Sequence, residues 1–178
     1  MALGRLLKHL TTTHLQARRL FPARVLEAIE QAVQRSERTH RGQIRVVIEV
    51  ALPAGRLLRG LEPRTRALEL FATLHVWDTT HRNGVLLYVQ LADRVVEIIA
   101  DRGLAQVTPA EWQGVCRLME AHYRAGEFET GTVAGIDAVG ALLARHFPQA
   151  ADVSGATAGT AGRGGEAPNE LPDQPTLL

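Results

Sequence analysis

Between Asp78 and Arg102 the chain carries three hard-oxygen side chains, Asp78, Asn83 and Asp101, and two guanidinium groups, Arg82 and Arg102. Carboxylate and amide oxygens suit Ca²⁺ or Mg²⁺, which prefer oxygen ligands. A guanidinium fork can hold an anion such as phosphate, or it can pair with the aspartates and need no ligand. Both alternatives are open for these five residues. His75 and His81 straddle the same segment, but His75, His81, His122 and His146 lack the two-histidine helical spacing of a metalloenzyme. The single cysteine, Cys116, excludes an internal disulfide and a thiolate zinc cage. It falls on the apolar face of a helix, where a buried thiol is expected rather than a nucleophile. No glycine-rich phosphate loop or serine-nucleophile elbow is present.

For the oxygen ligands to meet, the chain between them must double back. Val85 to Leu91 is apolar at nearly every position, and Val95 to Ala100 is apolar except at Glu97. Short runs rich in Val and Ile read as strands buried on both faces. Ala92 and Asp93 leave room only for a tight turn, so the strands pair antiparallel. Such a turn puts Gly84 opposite Asp101 and gathers Asp78, His81, Asn83 and Asp101 at one end of the sheet. Asp93 falls at the other end, roughly 20 Å away at ~3.3 Å per residue. Asp93-Arg94 is read as a solvated hairpin turn, although ligands of open α/β sheets favour that end, where parallel strands terminate.

The elements around the hairpin follow from periodicity. Phe21-Pro22 opens a helix whose stripe is Val25, Leu26, Ile29, Ala32, Val33 and Ser36, ending at His40-Arg41-Gly42 with glycine as a left-handed cap. Gln43 to Val50 alternates as a first strand. Residues 52–60 are a loop, and 63–76 a helix with Ala67, Leu68, Phe71 and Leu74 inward. If the first two strands share a sheet they run parallel across that helix. Thr108-Pro109-Ala110-Glu111 starts another helix with a capping box, presenting Trp112, Val115, Cys116, Met119 and Tyr123. After Gly126 a last helix runs to His146, with Gly135 and Gly140 admitting close neighbours. The domain therefore spans 21–148. Residues 149–178, rich in Ala, Gly, Thr and Pro, are expected to be a disordered tail.

The 178 residues carry a formal charge of +1, too little for a field that recruits nucleic acid. The charge is uneven, however. No acid precedes Glu27, whereas Arg5, Lys8, Arg18, Arg19 and Arg24 do. Leu3, Leu6, Leu7 and Leu10 are at helical spacing, so residues 1–20 form a basic amphipathic segment. That segment either lies on an anionic membrane surface, or docks on its own domain or frays in solvent. No stretch reaches the ~18 apolar residues of a membrane span, and the N-terminus lacks the pattern of a secretory signal. The expected location is the cytoplasm, with peripheral membrane contact through residues 2–20 as the open alternative.

In this order, GQIRVVIEV at 42–50, the helix ending at Trp77, NGVLLYV at 83–89, DRVVEI at 93–98, Gly103-Leu104 and AHYRAGEFETG at 121–131 resemble the TPM domain family, also called TPM phosphatase. The resemblance spans about residues 22–147. It implies an α/β fold built as a three-layer α/β/α sandwich, with a small mixed sheet around the central hairpin. It also implies acid phosphatase activity or divalent-cation binding, and a link to membrane-protein maintenance. Two family acids are exchanged here. Arg82 stands where the family motif has aspartate, and Asp101-Arg102-Gly103-Leu104-Ala105 replaces the family's Gly-Tyr-Gly-Leu-Glu. Three functions are carried forward. The first is a non-catalytic accessory module for membrane-protein or envelope upkeep, acting on a protein partner or the membrane surface. The others are a cation-dependent phosphatase centred on Asp78 and Asp101, and a Ca²⁺- or Mg²⁺-binding regulatory domain.

Overall fold

The computed structural model describes residues 2–149 and 169–178. Seven helices are described: α1 (Ala2–Thr11), α2 (His14–Leu20), α3 (Ala23–Glu37), α4 (Ala54–Leu57), α5 (Pro63–Thr73), α6 (Pro109–Ala125) and α7 (Phe128–His146). The strands are β1 (Gln43–Glu49), β2 (Gly84–Gln90), β3 (Val95–Ala100) and β4 (Thr176–Leu177), in the sheet order β3-β2-β1-β4. β1 and β2 run parallel, with Gln43 opposite Gly84 and Glu49 opposite Gln90. β2 and β3 run antiparallel from Gln90–Val95 to Val85–Ala100. Beyond that last pair the Asp101 N–H donates to the Gly84 carbonyl at 2.9 Å, so the hairpin adopts the register its turn requires.

Strand alternation divides the core between the two faces of the sheet. Ile44, Val46, Ile48, Val85, Leu87 and Val89 face α3, α6 and α7. Val47, Leu86, Tyr88 and Ile99 face α5 through Ala67 and Leu70. The molecule is thus an α/β sandwich of three layers around a mixed sheet. Every residue of β2 is buried, as a central strand covered on both faces must be. In α7 the glycines bring their neighbours close. A Cβ at Gly135 would overlap Met119 of α6, and one at Gly140 would overlap Ser36 of α3. Each glycine costs about 1 kcal/mol of helix propensity, less than the roughly 1.5–3 kcal/mol from burying a side chain such as Met119.

Four sequence expectations are corrected. The inward stripe over α5 and its cap is Ala67, Leu70, Phe71 and Leu74, whereas Leu68 is 49% exposed, since it lies about 100° around the helix from Ala67, beyond the margin of the stripe that Leu70 and Leu74 centre. Gly42 is not a left-handed cap, since α3 ends at Arg38 in right-handed geometry; a Cβ at Gly42 would strike the Leu143 side chain. Residues 52–60 include the helical turn α4, whose Leu57 packs with Leu52, Leu61 and Leu6 of α1. The tail is not wholly without structure. Residues 150–168 lie outside the described residues, but 169–178 return to the sheet and β4 pairs parallel with β1. Their few apolar residues suffice because most of the attachment is main-chain hydrogen bonding to β1 and its side chains.

Candidate functional site

Asp78, Arg82 and Asn83 lie in the loop between α5 and β2, and Asp101 and Arg102 follow the end of β3 beside it. A Cβ at Gly84 would run into the Val76 carbonyl, and one at Gly103 would run into the carbonyls of His81 and Arg82. Close backbone approach therefore presses residues 76–84 against 101–103. Arg82 itself takes a left-handed conformation at φ 52°. Asn83 is buried; its N–H donates to Thr79 Oγ1 at 3.0 Å and its amide nitrogen donates to the Arg41 carbonyl. Asp101 Oδ1 accepts the Arg102 N–H at 2.6 Å and caps a 3-10 turn over Arg102–Leu104. Asn83 Oδ1 and Asp101 Oδ2 are both buried and have no hydrogen-bond partner among the described residues.

Asp78 is exposed on the turn. Asn83 immediately precedes β2 and Asp101 immediately follows β3, so the two orphan oxygens sit at the same end of the sheet. Arg82 and Arg102 are exposed and, among the described residues, form no ion pair within 4 Å of Asp78 or Asp101. No group of three or more His, Cys, Asp or Glu among the described residues is arranged to hold a metal ion.

Asp101 and Arg102 open onto a groove of about 750 Å³ between the outer edge of β3 and α6. Side chains cover that strand edge. Arg64 donates to the Ile98 carbonyl at 2.7 Å and to Glu97 at 3.2 Å, and Glu120 accepts the Val96 N–H at 3.2 Å. Cys116 lines the groove, and burial, followed by Glu97 and Glu120, pushes its thiol up to about 11. It is a protonated thiol at neutral pH, not a nucleophile.

Sequence reasoning missed the polar groups at the carboxyl end of β1 and β2. Asp93 is not in a solvated turn, because α1 folds over it and leaves its side chain 12% exposed. Arg5 Nε donates to Asp93 Oδ2 at 2.9 Å, and His9 Nε2 lies 3.1 Å from the same oxygen. His9 Nδ1 accepts the Leu52 N–H at 2.9 Å, which places the ring proton on Nε2, towards Asp93. Below them Glu49 receives a two-pronged contact from Arg66 and the Tyr88 hydroxyl at 2.6 Å. Burial, and then the hydrogen bond to Glu49, raise the Tyr88 phenol above its ordinary range. The available signals were an acid and a tyrosine inside apolar strands and a histidine among leucines. Asp93 ties down Arg5 and Glu49 ties Arg66 to Tyr88, so these groups read as internal ties rather than as chemistry awaiting a substrate, while Arg5 Nη2 and His9 Nε2 lie close to Asp93 without a directed hydrogen bond.

The helix–strand–helix–hairpin–helix–helix order and its mixed sheet now stand beside a direct match: the family model described as TPM domain covers residues 16–142. The chain belongs to the TPM domain family. Among solved structures, the TPM chain is similar to the NMR structure of the BA42 protein from the psychrophilic bacterium Bizionia argentinensis. The two share 27% identity at a TM-score of 0.70, over 88% of this chain and 94% of that one. No curated relative matches. The TPM match takes in all five candidate residues and Asp93, but α1 and residues 169–178 lie outside it.

Proposed function

We propose that this TPM domain is an accessory binding module that works at a membrane surface, in membrane-protein or envelope upkeep from the cytoplasmic side, and that residues 2–20 make the contact. The observation behind this is the exposure of large apolar side chains beside cations. Leu7 and Leu10 of α1 are 61% and 62% exposed and Leu15 of α2 is 62% exposed. They stand next to Lys8, Arg18 and Arg19. α1 is held on the domain by Leu6, His9 and Arg5, so docking and outward leucines coexist. Leu7 and Leu10 share a helix face at spacing three, suited to dipping into a headgroup layer while the cations meet anionic lipid. No helix among the described residues is long and apolar enough to cross a membrane. In flotation with anionic liposomes the full chain should rise with the vesicles, and the Leu7→Glu/Leu10→Glu variant should stay in the dense fraction. Equal flotation of the two would remove the proposal.

A second function rests on the two unpartnered buried oxygens. Asp101 Oδ2 and Asn83 Oδ1, at the same end of the sheet, are hard ligands for Ca²⁺ or Mg²⁺. Such an ion would supply charge for regulation, or for phosphatase chemistry with Asp78 close by and Arg82 and Arg102 available to a phosphate. An amide NMR titration with each ion, run on wild type and Asp101→Asn beside a phosphatase assay, checks both. Unmoved signals across residues 78–103 would dispose of the cation site, and turnover unaffected by Asp101→Asn would dispose of the enzyme built on it.

A further inference from the structure

The sheet has two edges, and they are treated differently. At β3 the open main-chain groups are covered by Arg64 and Glu120 from neighbouring helices. At β1 they are covered by a strand, supplied by a segment outside the span of the TPM match and joined to α7 only through residues 150–168. Its ladder is short. Val47 pairs with Thr176 and Ile48 with Leu177, the Leu178 N–H donates to the Ile48 carbonyl at 2.9 Å, and the Val50 N–H donates to the Leu178 carbonyl at 2.9 Å.

The receiving side is a built set of grips. Arg45 donates to the carbonyls of Pro172 and Gln174 at 2.8 and 3.1 Å, and to Thr176 Oγ1 at 2.5 Å. Gln43 Oε1 accepts the N–H groups of Glu170 and Leu171 at 2.9 and 3.3 Å. The Thr80 N–H and hydroxyl both donate to the Glu170 carboxylate, at 2.8 and 2.9 Å. Leu171 is 6% exposed in the core cluster under α5, and Leu177 packs against the main core. Most of these contacts read main chain, so they recognise an extended conformation. An acid, two leucines and one hydroxyl are held by side chain, and the Asp173 side chain lies against Glu37.

We propose that the outer edge of β1 is a docking site for an extended segment of a partner protein, and that residues 169–178 fill it as an intramolecular stand-in. The partner segment carries an acidic residue followed by a leucine, then a hydroxyl-leucine pair five positions further on, matching Glu170, Leu171, Thr176 and Leu177. This is strand addition to a sheet edge, in which the ladder supplies affinity and alternate side chains supply selectivity. A tethered stand-in competes as an intramolecular ligand, at the effective concentration that its linker sets. A partner in trans must exceed it or find the segment released, so the site is closed at rest and responsive to competition.

The test uses the full chain and a fluorescent synthetic peptide with the sequence of residues 169–178. Wild type should bind the peptide weakly. The Leu171→Asp/Leu177→Asp variant, whose own segment is weakened, should bind it at least tenfold tighter, and adding Arg45→Ala to that variant should abolish the gain. Equal peptide affinity in wild type and the double variant, or a gain that survives Arg45→Ala, would overturn the site. Dimers of the double variant forming in place of peptide capture would count against it as well, since they would mean exchange between copies rather than an open receptor edge. Amide hydrogen exchange on the unmodified chain guards against a variant that fails to fold. The Val50 and Leu178 N–H groups should exchange at least tenfold faster than the β1–β2 ladder; equal protection would mean that the segment does not open and would equally overturn the proposal.

Discussion

At the scale of single residues, the end of the sheet near Asp101 is shaped by what side chains are missing as much as by those present. Gly84 lacks the Cβ that would collide with the Val76 carbonyl, a backbone atom that cannot rotate away. Gly84→Ala should therefore lower stability by roughly 1–3 kcal/mol through overpacking, measured as a shift in urea midpoint with unchanged slope. A variant as stable as wild type would mean that the loop over residues 76–83 yields more easily than its contacts imply. Asn83 and Asp101 were legible as polar residues at this end because the hairpin register follows from two apolar runs and a tight turn. The outward course of Asp78, Arg82 and Arg102 was not legible, because a loop has no period from which direction can be read.

At the scale of elements, helix starts and stripes were the most readable features. α6 begins as its sequence demands, with Thr108 accepting the Glu111 N–H and the Glu111 carboxylate accepting the Thr108 N–H. Thr108→Ala should cost about 1 kcal/mol, visible as a small fall in Tm; no fall would show that packing of α6 against α7 and β3 outweighs its cap. The buried stripe of α3 is Val25, Ile29, Ala32, Val33 and Ser36, each one expected from spacing. α1 shows where spacing stops being sufficient. Leu6, Leu7 and Leu10 are chemically alike, yet Leu6 packs with Leu52, Leu57 and Leu61 while Leu7 and Leu10 stay exposed. The division is made by His9 and Arg5 reaching Leu52 and Asp93, contacts 43 and 88 residues away in sequence.

At the scale of the whole molecule, two buried titratable groups oppose one another and set a stability optimum. Burial holds His40 neutral, with Nδ1–H donating to the Gly42 carbonyl and Nε2 accepting from Ser36, and its pKa falls from 6.5 to about 4. Between those values the unfolded chain binds the extra proton, so stability is lost as pH falls from 6.5 towards 4. Glu37 has the opposite sign. Burial, with the carboxylate of Asp173 adding to it, raises its pKa from 4.5 to about 8 against the opposing hydrogen bond from the Ile44 N–H. The folded chain keeps that proton longer, so stability is lost as pH rises from 4.5 to about 8. Stability should peak between about pH 4.5 and 6.5, and Glu37→Gln should flatten the decline above the peak in a series of urea midpoints. Parallel declines in wild type and variant would locate the source elsewhere. By itself the sequence determined the helices, the hairpin register and the apolar faces, because each is written in residues that are neighbours along the chain. Only the tertiary structure decided that α1 covers Asp93, that Glu49, Arg66 and Tyr88 join, and that residues 169–178 complete the sheet. Those outcomes depend on hydrogen bonds between distant segments, and a segment that is attached mainly through its backbone leaves little trace in the pattern of its side chains.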